Sequence, residues 1–398
     1  MGNPKLHIKR ISAGSFYFIM GLIFASWASR IPDMKFMLHL SDGDLGRALF
    51  AIPMGQLMMM LISGYLVNKF GSRITLLVSI VLYAIILTGI ALSDSFGTLF
   101  LFLFLFGAAA NTTNIAVNTQ ACGLEAMYRR NIMASFHGLW SLGGLSGGIL
   151  GAVFARTGYS IFTHFVFVAV ISMIGIAIAG RNLLPHDASH AETGDKGKRP
   201  VLKLDTAIIL LGLIGFAGMF CEGTMFDWSS VYFATIIKPD ESFIRLGYIA
   251  GMGAMTFGRF IADRFVTRYG APLVLRYCGL FITSGLLLAT ALPNLITSTI
   301  GFLFVGLGVS SIVPICYSTA GRLNTMAASI AITVVSSISF LGFMVGPPLI
   351  GLLSEATDLR VALAVASSFG ILIIVLVQKF QHIKIRVYEN RTFSNLGK

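Results

Sequence analysis

Residues 98–122 read TLFLFLFLFGAAANTTNIAVNTQAC, a run without a single Asp, Glu, Lys or Arg. A run of this length matches the ~20 residues that an α-helix needs to cross a hydrocarbon layer about 30 Å thick. The rest of the 398-residue chain has the same character, because 56% of its residues are hydrophobic and 12% are charged. Ordinary soluble domains carry about 25% charged residues. The sequence therefore predicts an all-α integral membrane protein.

Twelve apolar blocks, separated by charged breaks, predict twelve transmembrane helices. We number these spans in chain order: 11–30, 45–69, 74–93, 98–122, 132–155, 160–180, 206–232, 244–266, 271–291, 296–320, 326–353 and 359–379. The block pattern excludes a β-barrel, and the composition excludes a disordered chain, a disulfide scaffold and a soluble nucleic-acid binder. A long polar stretch after span 6 predicts four parts: an N-terminal half 1–180, a cytoplasmic linker 181–205, a C-terminal half 206–380 and a cytoplasmic tail 381–398.

The distribution of Lys and Arg indicates how the chain is oriented. Of the 29 Lys and Arg residues, 22 lie on the side that holds both predicted termini and 7 lie on the other. Basic flanks are retained in the cytoplasm, so both termini are expected there. Arg259, Arg264, Arg268 and Arg276 are assigned to the turn between spans 8 and 9. The net charge of +12 is explained by this bias and by attraction to anionic lipid, so no nucleic-acid partner is predicted.

The two halves of the chain resemble each other at an offset of about 200 residues. Three segments of the first half match three segments of the second half in the same order: 26–29 with 227–230, 107–121 with 306–320, and 147–151 with 347–351. Two sets of six helices in the same orientation are the plan of a secondary transporter built from parallel repeats. The substrate site of such a protein lies near the membrane midplane, between the repeats.

Two loop segments carry a resemblance to a known family. Residues 64–73 read GYLVNKFGSR, and residues 258–264 read GRFIADR, with Arg268 and Gly270 beyond them. Both resemble the G-x-x-x-D-R-x-G-R loop of the major facilitator superfamily. Together with the twelve spans and the repeat, the resemblance covers essentially the whole chain and implies the twelve-helix fold of two pseudo-symmetric halves.

The loop resemblance also implies a gate. In the family, the motif acid caps a neighbouring helix and pairs with a motif arginine, which latches the cytoplasmic gate. The gate residues implied here are Asn68, Arg73, Asp263, Arg264 and Arg268. Asn68 stands where the family usually has Asp, so it can cap a helix but supplies no charge, and a weaker latch is expected in the first copy. The alternative is that the basic residues only set the orientation.

Two further segments narrow the resemblance. Residues 25–32 read ASWASRIP and residues 222–229 read EGTMFDWS, which is similar to a poorly characterised bacterial branch loosely related to the fucose permeases. A bacterial inner-membrane location is implied. The fucose-permease group is expected to carry acids in helices 1 and 4, whereas span 1 has none and span 4 has asparagines. Hexose specificity is therefore not carried over.

Glu222 is the candidate proton carrier. It lies about 16 residues into span 7, roughly 24 Å along a helix that rises 1.5 Å per residue, and we expect no other acid to be so deeply embedded. An ionisable group inside a span is a functional candidate by default. The alternative is a hydrogen bond that holds a kink near Gly223, or a fixed pair with Arg30. Asp227 is predicted to reach the rim, to pair with Arg30 and to act in gating.

A stripe of asparagines in span 4 is the candidate solute contact. Asn111, Asn114 and Asn118 fall on one helix face, and amides that face lipid would lack partners, so the stripe must face protein or a wet cavity. Amides both donate and accept hydrogen bonds, which suits hydroxyl-rich solutes. The alternative is hydrogen bonding between helices. Tyr317 in span 10 corresponds to Asn118 in the repeat and is predicted to line the opposite wall.

Span 5 adds two candidates, and span 1 adds a third. His137 can relay protons near neutral pH, although a structural histidine is the alternative. Trp140 offers a flat platform for a sugar ring. Trp27 is also predicted to line the cavity, with anchoring at the membrane interface as the alternative for Trp27 and Trp228.

These features predict a proton-coupled symporter for a small polar organic solute that works by alternating access. Proton-driven efflux of amphipathic compounds is the alternative within the same class, and a non-transporting membrane receptor or scaffold is the alternative from another class. No phosphate-binding loop, zinc motif or paired-carboxylate arrangement occurs in the sequence, so no enzymatic activity, cofactor or metal is predicted. The expected partners are the solute, protons and the lipid bilayer, and a monomer is expected.

Overall fold

The structure, a computed structural model, describes residues 4–128, 132–185, 205–323 and 328–381, and within these ranges every regular element is a helix. The first half of the chain forms α1 (Pro4–Ser29), α2 (Ile31–Met37), α3 (Asp42–Phe70), α4 (Ser72–Ile90), α5 (Phe96–Tyr128), α6 (Met133–Arg156) and α7 (Ile161–Ala179). The second half forms α8 (Thr206–Tyr232), α9 (Leu246–Tyr269), α10 (Ala271–Ala291), α11 (Leu295–Val309), α12 (Ile312–Gly321), α13 (Ala328–Ala356) and α14 (Leu359–Ala366). After a turn at Ser367 the chain is helical again over 368–381.

The prediction of a twelve-helix membrane protein is confirmed. In the described ranges ten helices are long and apolar enough to cross a membrane. An eleventh, α3, passes the same test as two pieces, Asp42–Met60 and Ile62–Phe70, bent by 50°. The twelfth is α9, which is 24 residues long but carries three arginines in its second half. Hydropathy alone therefore does not mark α9 as a span.

Parts of the predicted organisation differ from the structure or lie outside it. Predicted span 10 is confirmed as one span, Leu295–Gly321, although the helix is interrupted between α11 and α12 at Ser310 and Ser311, whose hydroxyls lie 3.0 Å apart. Most of the predicted linker (186–204) and of the predicted tail (382–398) lie outside the described residues.

Two glycines shape equivalent turns in the two halves. Gly71, between α3 and α4, has φ 79° and ψ 153°, and Gly270, between α9 and α10, has φ 81° and ψ 151°. Side-chain-bearing residues are strained in this region of backbone space, which is why glycine stands at both turns. Each glycine N–H caps the preceding helix by donating to a carbonyl four residues back, Val67 and Val266, at 2.9 Å.

Close helix crossings are repeated as well. A Cβ built on Gly107 of α5 would lie 2.0 Å from the main-chain oxygen of Ile52 in α3. A Cβ on Gly306 of α11 would lie 2.0 Å from the main-chain oxygen of Gly251 in α9. Gly306 and Gly251 each lie 199 positions after their counterparts Gly107 and Ile52. Small residues let helix backbones touch in membranes. A second such pair joins α1 to α6 and α8 to α13, through Gly143 with Phe18 and Gly342 with Phe216.

The two halves of the chain pack against each other through α3 with α13, α6 with α9, and α2 with α8. We call the end of the bundle where α1 begins and 368–381 ends the terminal side, and the opposite end the far side. On the far side the contact reaches the backbone, since a Cβ on Gly46 would lie 2.7 Å from the Pro347 oxygen. The helices α1, α6, α8 and α9 therefore meet along the line between the halves, where the site described next is found.

Candidate functional site

An ion pair inside the bundle forms the centre of the site. Glu222 lies on α8, a helix that is buried around most of its circumference, so its carboxyl points into protein. Its Oε1 lies 3.1 Å from Nη2 of Arg259 on α9. Arg259 is the thirteenth residue after the start of α9, roughly 20 Å along the helix. The alternative of a fixed pair between Glu222 and Arg30 is therefore wrong, because the partner of Glu222 is Arg259.

Arg259 connects the two halves of the chain. Its Nη1 donates to the Ser141 hydroxyl on α6 at 2.6 Å, and its guanidinium lies 5.7 Å from the centroid of the Trp140 ring, also on α6. The loop motif places Arg259 at the turn between spans 8 and 9. The structure corrects this, because α9 continues for ten residues beyond Arg259.

The ion pair is mostly buried, so each of its charges is stabilised chiefly by the other. The side chains of Arg259 and Glu222 are 19% and 12% exposed. Removing one partner of a buried ion pair costs about 3–5 kcal/mol, because the other charge is left uncompensated. The partial exposure of both groups places this pair toward the lower end of that range. The same exposure leaves the pair accessible to a small solute or a proton.

A hydrogen-bonded chain of polar side chains lies on the first-half side of the pair. The Tyr17 hydroxyl on α1 donates to Oδ1 of Asn118 at 2.5 Å, and Nδ2 of Asn118 donates to Oδ1 of Asn114 at 2.6 Å. The His137 ring packs edge-on against Tyr17 with centroids 5.5 Å apart. His137 lies one turn before Trp140 and Ser141, the residues of α6 that contact Arg259. The hydrogen bonds thus join α5 to α1, and the ring contact joins α1 to α6.

The second-half wall and an aromatic triad complete the site. Tyr317 lies on α12, which packs against α8, the helix that carries Glu222. Trp140 packs against Phe24 of α1 and Phe226 of α8, with ring centroids 6.0 and 6.3 Å away. We call the following set the central cluster: Tyr17, Asn114, Asn118, His137, Trp140, Ser141, Glu222, Arg259 and Tyr317. It combines a fixed cation, an acid, amides, hydroxyls and an indole face, which can together hold a small polar solute.

Two predicted solute contacts lie apart from the central cluster. The Ser63 hydroxyl on α3 donates to Oδ1 of Asn111 at 3.1 Å, so Asn111 joins α5 to α3 and not to Tyr17. Trp27 is fully buried near the far-side end of α1. Neither Trp27 nor Trp228, which is equally buried, is exposed as an interfacial anchor would be. Among the residues described, the structure thus brings together Asn114, Asn118, His137, Trp140 and Tyr317.

Asp227 and Arg30 do not pair. Arg30 lies 3.5 Å from Asp33, and its Nε donates to Nδ1 of His164 at 3.4 Å. No ion pair or side-chain hydrogen bond within the described ranges involves Asp227. Asp227 is 5% exposed and Glu222 is 9% exposed, so Asp227 is as buried within the protein as Glu222. The reason is that α8 and the π-helical turn at 233–237 extend beyond Asp227.

An ionic network closes the far side between the halves. Arg245 at the start of α9 is 1% exposed and donates to a carboxylate oxygen of Asp33 on α2. Its Nε also donates to the main-chain oxygen of Ser29 at 3.2 Å. Lys35 and Ser354, from opposite halves, both contact Asp42. Because Asp33 also pairs with Arg30, the predicted gate residue Arg30 takes part in this network through Asp33.

The gate residues implied by the loop motif lie at the terminal side. Asn68 is exposed near the end of α3, and Nη2 of Arg73 donates to the main-chain oxygen of Gly180 at 3.3 Å. Arg264 is exposed, and Arg268 lies over the ring of its neighbour Tyr269, 5.4 Å from the centroid. The side chain of Asp263 lies outside what the structure describes.

Three features of the site were missed by sequence reasoning. Arg259 lay inside predicted span 8 and could have been recognised as an intramembrane charge. Arg245 and Asp33 sit at span ends, where charges are ordinary, so nothing in the sequence singled them out. Tyr17 lies in an apolar run without any distinguishing pattern. Only a three-dimensional arrangement places its hydroxyl on Asn118.

The fold and the site together define a class of protein. Two repeated sets of membrane helices, with a buried polar and charged site where they meet, are the architecture of membrane transport proteins. Residues 13–329 match the family model of the Major Facilitator Superfamily. The chain belongs to the major facilitator superfamily and is a multi-pass membrane transporter of small molecules.

Similar proteins span nearly the whole chain. An uncharacterised MFS-type transporter of Yersinia pestis is 31% identical over 360 residues, which cover 89% of this chain and 91% of that protein. Membrane protein MosC of Rhizobium meliloti is 31% identical over 375 residues, which cover 93% of this chain and 90% of MosC. Both relatives match the chain along both halves.

Solved structures share the fold. A D-xylose–proton symporter superposes with a TM-score of 0.77 at 14% identity, covering 93% of this chain and 96% of that one. The nucleoside transporter NupG superposes with a TM-score of 0.71 at 14% identity, covering 94% of this chain and 98% of that one. At these identities the likeness establishes the arrangement of helices and carries no assignment of substrate.

Proposed function

We propose that the protein is a secondary active transporter that takes up a small polar organic solute by proton-coupled symport through alternating access. The observation that carries this proposal is the ion pair of Glu222 with Arg259, which also binds Ser141 of the other half. A titratable group that is paired with an arginine in contact with the other half is in a position to couple its protonation state to the relative arrangement of the halves.

Coupling follows from what the proton does to these contacts. The ionised carboxylate of Glu222 neutralises Arg259, which holds Ser141 and Trp140 on α6. A proton on Glu222 removes that neutralisation and weakens the connection between α8, α9 and α6. Loading of the proton therefore changes the free-energy difference between two arrangements of the halves. The size of the change equals the difference in the strength of the ion pair between the two arrangements.

The solute class is proposed from the composition of the central cluster. Asn114 and Asn118 supply amides that can donate to and accept from hydroxyl groups. Trp140 supplies a flat apolar face in contact distance of the charged pair. His137 and Tyr317 border the same space from α6 and α12. A hydroxyl-rich solute with apolar ring faces makes use of all three kinds of group.

The gating proposal follows from the asymmetry between the two sides. The Arg245–Asp33 pair and the Gly46–Pro347 contact seal the far side in this conformation. We assign the far side to the periplasm of a bacterial inner membrane and the terminal side to the cytoplasm, so this conformation faces inward. In the outward-facing conformation, the loop residues Asn68, Arg73, Asp263, Arg264 and Arg268 form the cytoplasmic gate.

The test is proton flux in liposomes that contain the purified protein, with a pH gradient imposed while solutes are screened. One solute should trigger proton movement, and Glu222→Gln should abolish that movement while solute binding survives. Asp94→Asn is the matched control, because Asp94 is an exposed acid between α4 and α5 that accepts a hydrogen bond from nearby Thr98 and lies away from the central cluster. Solute flux that ignores the pH gradient and tolerates Glu222→Gln would show that the protein is not a proton symporter.

A further inference from the structure

We propose that Arg259 binds the solute directly and that the solute is a hydroxyl-rich organic anion whose charged group is a carboxylate. This inference rests on the proposed function, because it takes Glu222 as the proton carrier. It begins from one asymmetry within the ion pair. A carboxylate is neutralised by a proton, whereas a guanidinium keeps its charge at every pH that a cell experiences.

Protonation of Glu222 leaves Arg259 without an anionic partner. Within the described parts of the chain, Glu222 is the one acid that pairs with Arg259. The other contacts of Arg259, the Ser141 hydroxyl and the Trp140 ring, are neutral. A cation–π contact stabilises a cation less than a full counter-ion does. An uncompensated cation inside a membrane is unfavourable, so proton loading is favourable only when another anion takes the place of Glu222.

The other titratable groups around the pair do not supply that anion. His137 on α6 is not an acid, because an imidazole is either neutral or positive. Tyr317 on α12 is a phenol, which ordinarily keeps its proton near neutral pH. Asp227 lies five residues along α8 from Glu222, outside contact with Arg259. On α13, which packs along α8, the described acid is Glu355 near the far-side end. The side chain of Asp263, four residues beyond Arg259 on α9, lies outside what the structure describes. Among the described groups none supplies the anion, so we assign it to the solute.

The geometry of Arg259 suits a carboxylate. Its two terminal nitrogens both donate to oxygen atoms, Nη1 to Ser141 and Nη2 to Glu222. A guanidinium presents these donors as a planar fork that matches two carboxylate oxygens, while its flat face stacks on an aromatic ring. Trp140 occupies that face. A solute carboxylate can thus replace Glu222 on Nη2 while the amides of Asn114 and Asn118 receive its hydroxyl groups.

A cationic or a neutral solute does not fit the same contacts. An amine would add a second positive charge beside Arg259 and His137. A neutral sugar would leave Arg259 uncompensated whenever Glu222 carries its proton. One carboxylate that moves with one proton carries no net charge, so the transport cycle is electroneutral.

The first experiment measures binding to the full-length protein in nanodiscs. The probes are three sets of matched sugars, each with an acid, a neutral and an amino member, such as glucuronate, glucose and glucosamine. At least one acid should bind about tenfold tighter than its neutral and amino counterparts. In the unmodified protein this affinity should rise as the pH falls from about 8 to about 6, because protons remove Glu222 from Arg259.

Variants assign the binding to the pair. Glu222→Gln should bind the acid about tenfold tighter than the unmodified protein at about pH 8, with an affinity that no longer changes with pH. Arg259→Gln should lose the acid, Arg259→Lys should keep part of the affinity, and Asp94→Asn should behave as the unmodified protein. If Arg259→Gln does not fold, the pH profile of Glu222→Gln decides whether the solute binds Arg259. Tighter, pH-independent binding after removal of the Glu222 carboxylate shows that this carboxylate competes with the solute.

The outcomes separate this inference from the proposed function. Binding of only neutral or amino members, or of none, overturns the anion site. A neutral sugar that moves with protons overturns the anion site and keeps symport. Anion binding that needs Arg259 without any proton flux keeps the site and overturns symport. Uptake of the acid driven by a pH gradient, and unchanged by a potassium–valinomycin potential, supports both, and a response to that potential overturns electroneutrality.

Discussion

The pair of Arg245 with Asp33 should hold the far side closed, and Asp33→Asn should open it. Arg245 is 1% exposed and Asp33 is 24% exposed. Truncating one partner of a buried, hydrogen-bonded charge pair costs about 2–5 kcal/mol. Because Asp33 is partly exposed and Asn still accepts a hydrogen bond, we expect about 2 kcal/mol. That value corresponds to a roughly 30-fold shift in the ratio of closed to open molecules, at ~1.4 kcal/mol per factor of ten.

The assay is a distance distribution between spin labels on opposite halves. Met37→Cys and Asp240→Cys place the labels at exposed far-side positions, and Cys122→Ser removes the exposed native cysteine. Asp33→Asn should add a population at longer distance. The control is Asp44→Asn, whose partner Arg47 lies on the same helix in an exposed pair and therefore does not join the halves. Equal distributions in both variants would refute the assigned latch.

Three further predictions concern packing, backbone and site. Gly107→Ala should lower the thermal unfolding midpoint in detergent, because the new Cβ meets backbone and overpacking costs about 1–3 kcal/mol. Gly64→Ala is the control, since open space surrounds Gly64, and it should leave the midpoint unchanged. Equal midpoints for the two variants would contradict the close crossing at Gly107. Gly270→Ala should lower the same midpoint through about 1–3 kcal/mol of backbone strain, and an unaltered midpoint would contradict the turn geometry. Tyr17→Phe should weaken solute binding by about fivefold through loss of its hydrogen bond to Asn118, and unchanged affinity in equilibrium dialysis would remove Asn118 from the solute site.

The membrane fold could be predicted from the sequence because most membrane spans correspond to one continuous apolar run. No long-range information is needed to see that residues 98–122 cross a bilayer. The repeat was also visible, since its glycines make backbone contacts that a larger residue would block, as at Gly107 and Gly306. The break between α11 and α12 was not visible, because Ser310 and Ser311 are compatible with a continuous apolar helix.

The site could be predicted only in part because its contacts join distant helices. Glu222 was found by its charge alone, but its partner was not, since Arg259 lies near loop arginines and was grouped with them. The predicted pair of Arg30 with Asp227 was wrong for a related reason. Symmetry between the halves puts Arg30 and Asp227 within about one helical turn of the same depth, yet the rotation of each helix decides which side chains face each other.

The glycine crossings also divide the molecule into rigid joints and sliding surfaces. Where α3 meets α5 and α9 meets α11, main chain presses on main chain, so no side chain is available to rearrange when the helices shift. Where α6 meets α9, the glycines of α6 face flexible or flat groups, the Met252 thioether against Gly144 and the Tyr248 ring against Gly148. We expect the first contacts to move as rigid joints and the second to slide. A rearrangement that begins at the Glu222–Arg259 pair would then displace α6 along α9 while each half keeps its own shape.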